Sequence, residues 1–371
     1  MRILMLSPED VGSAHGGAVH TLSMAEAFGR LNHEVMLVAP GEHGFDVGAQ
    51  HAAPLHKNAG MMKAQCAMRI LGIASTWRAW TLAETCRKFS PDVIYERQLV
   101  TGGLGAHWGR KWGAKVVYEV NSPHRLEYLH RFPWLSPLAG VLAAWERRQF
   151  KGVDVMVTTH ELMVPEGFKG RAMVGPWAVT HPAKGESALD VPELRGRKAI
   201  LVTGSFRSWH GLGTVLAVVK ALGDGPWGIL LAGADTEGTW KRRIEGVTAL
   251  PVVALGRVDP LAMGAVYLRA DVLLAPFDPP IPGKPFYYSP FKVLEALSRS
   301  CPVVTDNHDT LRQLVSEPWC GRLMESRDPR TWATALRELL ELPRPDTSLG
   351  LSWARDHAWV DHAKVILEAL S

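Results

Sequence analysis

Lys292 and Glu295 lie three residues apart in the stretch FKVLEAL, and a helix would bring both side chains to nearly the same face. Ser289 is predicted to cap this helix and Pro290 to be its first residue, so that unpaired backbone N–H groups face outward. Such a helix start suits an anion, and a carboxylate one turn further can accept hydrogen bonds from sugar hydroxyls. The spacing indicates a nucleotide site. The alternative is an ordinary capped helix with a solvated lysine and glutamate.

A second group of polar residues lies in the loop GSFRSWHG, residues 204–211. The loop joins an apolar strand, Ala199 to Thr203, to a helix with apolar periodicity, Leu212 to Leu222. Arg207 and His210 are therefore predicted to offer cationic or N–H contacts to a diphosphate at a helix start. The alternative is a solvated Arg207 and a His210 that is satisfied by the backbone.

Gly16 and Gly17 stand between a predicted strand, Arg2 to Ser7, and a predicted helix, Val19 to Leu31. Glycines at such a junction let the backbone approach a ligand closely, although they can also serve only to turn the chain. The sequence GxGxxG is absent, and a dehydrogenase is therefore disfavoured.

Predicted strands and helices alternate along the chain, which indicates two α/β domains, each a doubly wound parallel sheet. The predicted boundaries are 1–182 for the first domain, 183–197 for a linker rich in Pro, Gly and charge, 198–350 for the second domain and 351–371 for a C-terminal helix. Ligand chemistry is expected at the carboxyl ends of the strands. In the first domain these ends carry Glu96, Arg97 and the stretch Asn121 to His124.

The composition is that of a globular protein, since 47% of the 371 residues are hydrophobic and 21% are charged, with a net charge of +4. The basic excess lies in residues 1–185, but without a basic stripe or a known module it does not indicate nucleic-acid binding. The four cysteines form no CxxC pair, so neither a zinc site nor a disulfide framework is expected. With no signal peptide and no run approaching about 20 apolar residues, we expect a cytoplasmic protein.

The segment from Arg125 to Phe150 mixes basic and aromatic residues at helical spacing. A basic, aromatic amphipathic helix can lie on a membrane surface. The alternative is a surface helix that packs on its own core.

Taken together, these stretches resemble a known family. The chain is similar to bacterial family 4 retaining glycosyltransferases of the GT-B fold, from Met1 to its carboxyl terminus. The matching stretches are, in order, GGAVHTLSMAEAF, HEVMLVAP, YEVNSP, GSFRSWHG, LGRV, RADVLLAP, SPFKVLEAL and SCPVVTD. The resemblance implies two Rossmann-like domains that face each other across a cleft. The nucleotide sugar would bind mostly to the second domain and the acceptor to the first, and the last helix would cross back to the first domain.

The resemblance also implies roles for single positions. Glu295 would bind the ribose hydroxyls, and Lys292 would contact the diphosphate or the sugar. The implied catalytic residues are Arg207, His210, Lys292 and Asn121. The implied donor-binding residues are Gly16, Gly17, Ser205, Gly211, Arg257, Val258, Tyr288, Ser289, Pro290, Phe291 and Glu295.

Three positions depart from the family pattern. Tyr287 stands where the family has a glutamate eight residues before Glu295. Ser205 and His210 align with an arginine and a lysine that usually hold the diphosphate, and Asn121 aligns with a histidine that often ends the strand beside the sugar.

The implied reaction is transfer of a sugar from a nucleotide-diphosphate sugar to a glycan, lipid-linked or small-molecule acceptor, with retention of configuration and without a metal or cofactor, as in polysaccharide biosynthesis. A lipid-linked acceptor adds peripheral contact of the first domain with the inner face of the membrane. Two alternatives stay open. One is a GT-B sugar-nucleotide epimerase or phosphorylase, and the other is a non-catalytic protein that binds a nucleotide sugar.

Overall fold

The computed structural model of the chain describes residues 1–12, 16–39, 80, 82–98, 102–175, 177–204, 207–233 and 238–371. The chain packs as two compact units. Unit 1 consists of Met1–Gly175 and Trp359–Ser371, and unit 2 consists of Pro176–Ala358. The predicted linker and domain boundaries stay predictions.

Unit 1 contains a parallel sheet with helices between its strands. Its strands are β1 Arg2–Leu6, β2 Glu34–Val38, β3 Val93–Arg97, β4 Lys115–Val120, β5 Val155–Thr158 and β6 Arg171–Val174, arranged β2-β1-β3-β4-β5-β6. Its helices are α1 Gly16–Arg30, α2 Ala83–Phe89, α3 Leu104–Trp112, α4 His124–Arg131 and α5 Ala139–Phe150, with a 3₁₀ segment at Pro133–Leu138.

The apolar runs of unit 1 form central strands because both faces of a parallel sheet are covered. Leu4 of β1 pairs with Met36 of β2 on one side and with Ile94 of β3 on the other. Leu4 and Ile94 are fully buried. The carboxyl ends of β1, β3 and β4 therefore meet at one edge of the sheet.

Unit 2 repeats this architecture. Its strands are β7 Lys198–Gly204, β8 Trp227–Gly233, β9 Val252–Ala254, β10 Val272–Ala275, β11 Val303–Asp306 and β12 Gly321–Met324, arranged β12-β11-β10-β7-β8-β9. Its helices are α6 Leu212–Leu222, α7 Thr239–Glu245, α8 Met263–Arg269, α9 Phe291–Leu297, α10 Asp309–Leu314, α11 Pro329–Glu341 and α12 Thr347–Asp356. The predicted α/β class with two Rossmann-like sheets is confirmed.

The last helix, α13 Trp359–Glu368, belongs to unit 1 and packs against α1. The indole ring of Trp359 meets the ring of His20 edge-on, with 4.6 Å between ring centroids. The carboxyl-terminal residues thus complete the core of the first unit. No helix in the described ranges has the length and apolar character to cross a membrane.

Several predicted bounds differ from the structure. Glu96 and Arg97 belong to β3 and are buried, rather than following the strand as ligand-facing residues. The strands β6 and β12 and the helix α12 were not predicted from the sequence, because they are short or carry mixed polarity. The apolar periodicity of residues 62–88 predicts a helix, and most of this range lies outside the described residues. The described part contains α2, Ala83–Phe89.

A buried polar network joins α1, β3 and β4 at the carboxyl edge of the first sheet. Glu119 accepts hydrogen bonds from the Tyr95 hydroxyl at 2.5 Å and from Arg97 Nε at 2.7 Å. Its Oε2 atom lies 3.0 Å from His20 Nε2. Burial alone would raise the pKa of Glu119, but Arg97 and His20 outweigh it and hold this pKa well below the usual range of a glutamate.

We expect Glu119→Gln to lower the free energy of unfolding by about 3 kcal/mol at pH 7, because buried Arg97 then loses its close carboxylate partner and keeps only Glu9, whose Oε1 atom lies 3.8 Å from Arg97 Nη1. Urea denaturation measures this change. Glu84→Gln is the control, since Glu84 also pairs with an arginine, Arg87, but on the exposed surface of α2. The denaturation midpoint of this control should stay near that of the wild type. Equal effects of the two substitutions would show that the network does not stabilise unit 1.

Candidate functional site

The carboxyl edge of the second sheet gathers the polar residues of unit 2. Strands β7, β10 and β11 are neighbours in this sheet, and they end at Gly204, Ala275 and Asp306. The loops that follow these strands, together with α9, carry most of the residues discussed below.

Lys292 lies in the first turn of α9 and is partly buried. Its Nζ atom stands over the ring of Phe277, 4.5 Å from the centroid, as in a cation–π contact. Among the described residues, no carboxylate forms an ion pair with this amine. Burial lowers the pKa of Lys292 to about 7, and the negative charge of Asp306 opposes this shift.

Asp306 ends β11 and is itself occupied by other groups. Its Oδ2 atom accepts the backbone N–H of Phe277 at 2.6 Å, and its Oδ1 atom lies 2.9 Å from Arg327 Nη2. Burial raises the pKa of Asp306 to about 6, although the Phe277 N–H and Arg327 favour its charged form. The negative charge of Asp306 therefore raises the pKa of Lys292, although the two side chains do not form an ion pair.

His210 ends a short 3₁₀ turn, Ser208–His210, and its ring lies over Gly204. A Cβ atom at Gly204 would lie 2.6 Å from His210 Nδ1, which is too close for any larger residue. The φ of Gly204, 142°, independently favours glycine. Burial, together with the charges of Lys292 and Arg207, lowers the pKa of His210 to about 3. His210 is thus neutral near pH 7 in the protein without a ligand and can contribute an N–H group.

Gly211 opens α6 with a left-handed backbone, at φ 58°. A Cβ atom there would lie 2.8 Å from Pro276 Cβ, which directly follows β10, so the helix start is held close to the strand end. Nearby, the Trp209 ring lies 5.2 Å from that of Tyr288, and Arg207 Cζ lies 5.9 Å from the Trp209 ring. Arg207 itself is exposed. Arg207, His210 and Lys292 form what we call the basic cluster.

The predicted N-cap of α9 is wrong. The helix begins at Phe291, and Pro290 occupies the cap position, with its carbonyl accepting the N–H of Val293 at 2.8 Å. Pro290 has non-helical dihedrals, φ −85° and ψ 59°, so it cannot be the first helical residue. The Ser289 hydroxyl is buried and has no hydrogen-bond partner within the described chain.

Glu295 lies on α9, about one helical turn after Lys292. Its Oε2 atom accepts a hydrogen bond from the Tyr267 hydroxyl at 2.9 Å. Burial raises the pKa of Glu295, and the hydrogen bond from Tyr267 and the charge of Arg299 act against this. Tyr267 is almost fully buried, so it fixes the carboxylate from within the core of unit 2.

The other predicted donor-binding residues of unit 2 are more scattered. Arg257 and Val258 follow β9, an edge strand separated from β7 by β8, and Arg257 is exposed. Phe291 is partly buried, and Ser205 lies outside the described residues. The structure thus brings the basic cluster, Tyr288 and Phe291 to one edge, with Glu295 one helical turn away.

The predicted residues of unit 1 form a separate group. Gly16 and Gly17 lie in the first turn of α1 rather than in a loop, and the Gly17 carbonyl accepts a hydrogen bond from Arg97 Nη1 at 2.7 Å. A Cβ atom at Gly17 would lie 2.4 Å from the Glu9 carboxyl carbon, so a larger residue here would require the Glu9 side chain to shift. Asn121 follows β4 directly and is partly buried.

Sequence reasoning missed several residues of this edge. The predicted site does not include Phe277, Asp306 or Arg327, which the structure brings together at this edge. Arg327 follows β12, which was not predicted, so nothing in the sequence indicated that it approaches Asp306. An acid at the end of a buried strand is the signal that could have found Asp306.

The two Rossmann-like units, with a basic cluster at the carboxyl edge of the second sheet, define the class of protein, and comparison with known families identifies it further. Residues 15–166 match the glycosyl transferase 4-like domain, and residues 197–342 match glycosyl transferases group 1. The chain belongs to the family 4 glycosyltransferases of the GT-B fold. It is a glycosyltransferase that takes its sugar from a nucleotide sugar.

Solved structures agree with this fold. Sucrose-phosphate synthase from Thermosynechococcus elongatus is 16% identical, with a TM-score of 0.62 over 100% of this chain and 96% of that chain. The trehalose-6-phosphate protein from E. coli bound with UDP-2-fluoro glucose is 14% identical, with a TM-score of 0.64 over 100% and 99% of the two chains. A glycosyltransferase from Rickettsia africae is 14% identical, with a TM-score of 0.64 over 100% and 98%. Sequence comparison with curated proteins gives no match.

Lys292 should titrate near pH 7 in the free protein. NMR of the lysine Cε and Hε resonances should show one lysine with this transition, and Lys292→Met should remove it. Asp306→Asn should lower this pKa further, because the carboxylate stabilises the ammonium form. Asp278→Asn is the control, since Asp278 also pairs with Arg327, at 3.2 Å, and should leave the titration in place. A Lys292 resonance that titrates above pH 9 would contradict the described burial.

Proposed function

We propose that this glycosyltransferase holds the diphosphate of its donor at the basic cluster of unit 2, transfers the sugar with retention of configuration, and needs neither a metal ion nor a cofactor. The observation that carries the proposal is the amine of Lys292, partly buried on Phe277 and not paired with any described carboxylate. A diphosphate would supply the missing negative charge.

The chemistry asks for stabilisation of charge on a leaving group. As the bond between the anomeric carbon and the diphosphate breaks, negative charge grows on the departing phosphate oxygen. Preorganised donors in a partly dry site stabilise such charge strongly. Lys292 supplies an ammonium group, Arg207 an exposed guanidinium group and neutral His210 an N–H group.

Retention follows from attack on the same face that the leaving group departs from. The acceptor hydroxyl oxygen forms the new bond to the anomeric carbon, and its proton passes to the departing phosphate oxygen. A dedicated protein base is not required by this scheme, so the enzyme acts chiefly by positioning. In the described residues, no cluster of three His, Cys, Asp or Glu side chains could hold a metal ion.

One further residue has a proposed contact with the donor, since Glu295 would accept hydrogen bonds from the ribose hydroxyls. The catalytic role of Asn121, which belongs to unit 1, stays a prediction. Tyr287 has no exposed surface, so its side chain is a core residue and does not replace the sugar contact of the family's first glutamate. The family models favour a transferase over the epimerase, phosphorylase and non-catalytic alternatives.

Removing the amine of Lys292 should weaken nucleotide binding. Thermal stabilisation by UDP, GDP, ADP and dTDP identifies the preferred base, because a ligand that binds the folded state raises its apparent stability. Calorimetry at pH 6.5, where Lys292 is mostly charged, should then show affinity at least about tenfold lower for Lys292→Met, as expected for loss of a charged hydrogen bond. Glu295→Ala should also reduce the affinity.

Lys220→Met is the matched control, since it removes an equal charge from an exposed position on α6. Its nucleotide affinity should equal that of the wild type. If Lys292→Met binds the nucleotide as tightly as Lys220→Met does, the diphosphate is not held at the basic cluster.

We also propose that unit 1 makes peripheral contact with an anionic membrane surface at the cytoplasmic face. Four apolar residues spaced four, three and four apart are exposed, namely Trp134 at 74%, Leu138 at 49%, Val141 at 66% and Trp145 at 46%. We call them the apolar ridge. Neither α4 nor the 3₁₀ segment after it contains a buried residue, and α5, which carries the rest of the ridge, buries only Gln149 and Phe150 at its end.

The charge around the ridge favours anionic lipid as its occupant. Arg131, Arg148 and Lys151 are exposed beside it. The nearby acids are engaged, since Glu146 pairs with Arg125 at 2.9 Å and Glu127 accepts from the Ser122 hydroxyl at 3.1 Å. Tryptophan side chains are enriched in the headgroup region of membranes. Each basic residue near an anionic surface adds about 1 kcal/mol to the binding free energy.

The wild type should therefore sediment with vesicles that contain phosphatidylglycerol at low salt, and Val141→Ser and Trp134→Ser should each reduce the bound fraction. The control is Val365→Ser, an identical change at an exposed position of α13 in the same unit. High salt should release the protein, since surface attraction is screened. Absence of sedimentation, or equal loss for Val141→Ser and Val365→Ser, would contradict the contact.

A further inference from the structure

We propose that a cavity within unit 1 binds an uncharged saccharide of the acceptor, and that Gln98 selects it through a hydroxyl group. This inference rests on the proposed function, because it concerns the acceptor of the same reaction. Only the shape, charge and unsatisfied polar groups of unit 1 enter it.

The cavity has a volume of about 430 Å³, which lies within the range of small-molecule sites. It opens at the carboxyl ends of β3 and β4, where Val120 and Ser122 line it on either side of Asn121 in the chain. Helices α4 and α5 form one wall, and residues 162–167 form another. The cavity therefore lies at the edge where chemistry is expected in a parallel sheet.

The charges that line the cavity cancel. Arg125 Nε and Glu146 Oε2 lie 2.9 Å apart, so this arginine is already neutralised. The remaining charged residues of the lining are one base, Arg147, and one acid, Glu166. A phosphate or carboxylate would find no surplus of positive charge here, whereas a neutral polar ligand keeps the balance.

Gln98 is the polar group of the lining that needs a partner. Its side chain is 4% exposed, and its backbone N–H is bound to the Glu119 carbonyl at 2.8 Å, which fixes its position after β3. Its Oε1 atom is buried and has no hydrogen-bond partner in the described part of the chain. A buried acceptor without a partner is costly, and a ligand hydroxyl that donates to it would remove that cost.

The apolar part of the lining suits the other face of a sugar ring. Leu126, Phe150 and Met163 are among the residues that line the cavity. A pyranose ring carries C–H groups on its faces and hydroxyl groups around its rim. An apolar wall with one buried acceptor and a buried hydroxyl, that of Ser122, matches this distribution.

The test uses saturation-transfer NMR with methyl glycosides of glucose, galactose, mannose and N-acetylglucosamine, and with methyl glucuronide and glucose 6-phosphate as charged comparators. The full chain is used alone and with the nucleoside diphosphate that stabilises it best. At least one neutral glycoside should bind, and both charged ligands should bind more weakly. Gln98→Met keeps the shape but removes the amide, and should weaken binding of the neutral glycoside about fivefold.

A second pair of variants covers the case in which Gln98→Met fails to fold. Ala143→Phe should fill the cavity and abolish glycoside binding, because Ala143 lines it. Ala144→Phe, on the exposed side of the same helix, should leave binding intact. Binding of no neutral glycoside, preference for the charged ligands, or equal effects of the two phenylalanine substitutions overturns the proposal.

Lys292→Met separates this proposal from the proposed function. It should weaken nucleotide binding and leave glycoside binding to the protein alone unchanged, since Lys292 belongs to unit 2. Loss of glycoside binding in Lys292→Met would overturn the assignment to unit 1. Unchanged nucleotide binding in that variant would instead overturn the donor site only.

Discussion

The amine of Lys292 is partly buried against the ring of Phe277. Asp306 is the carboxylate whose charge raises the pKa of this amine, but it is bound to Arg327 and to the Phe277 N–H. Burying a cation without a counter-ion costs free energy, and the lowered pKa of Lys292, about 7, expresses that cost. The rest of the edge follows from this arrangement. His210 stays neutral beside Lys292 and Arg207, and an anionic ligand would relieve the cost. Strained electrostatics of this kind are typical of functional sites.

The two sheets use their carboxyl edges differently. In unit 1, the network around Glu119 satisfies its own charges, with Arg97, Tyr95 and His20 all turned toward one carboxylate. That edge therefore lacks the surplus positive charge of unit 2, and among its buried polar atoms without a partner in the described residues, Oε1 of the uncharged Gln98 amide belongs to the lining of the cavity. A charged leaving group would need the positive charge of the unit 2 edge, and a neutral hydroxyl acceptor would need an uncharged acceptor group such as the Gln98 amide. The α4–α5 hairpin adds a second surface, since one face lines the cavity and the other exposes the apolar ridge.

Much of the fold could be predicted because periodicity is a local property. The alternation of buried strands such as β7 with helices such as α6 gives the α/β class directly. The stretches that carry Lys292 and His210 could also be singled out, since each lies next to a predicted helix start. Lys292 lowers the pKa of His210 because β7 and β10, whose loops lead to these residues, are neighbours in the sheet.

The remainder depends on contacts between distant parts of the chain. Arg327 reaches Asp306 from beyond the short strand β12, and no local pattern reports that pairing. The neutral state of His210 arises from burial and two neighbouring charges, which a sequence motif does not express. The N-cap at Ser289 failed for a local reason, because Pro290 stays outside the helical region and takes the cap position itself.

A crystal structure with the nucleoside diphosphate that stabilises the protein best would show whether the basic cluster holds the diphosphate. An oxygen of the diphosphate should lie about 3 Å from Lys292 Nζ, with Asp306 still bound to Arg327. A diphosphate bound away from the carboxyl edge of the second sheet, or a Lys292 that turns to pair with Asp306 while the nucleotide is bound, would contradict this expectation.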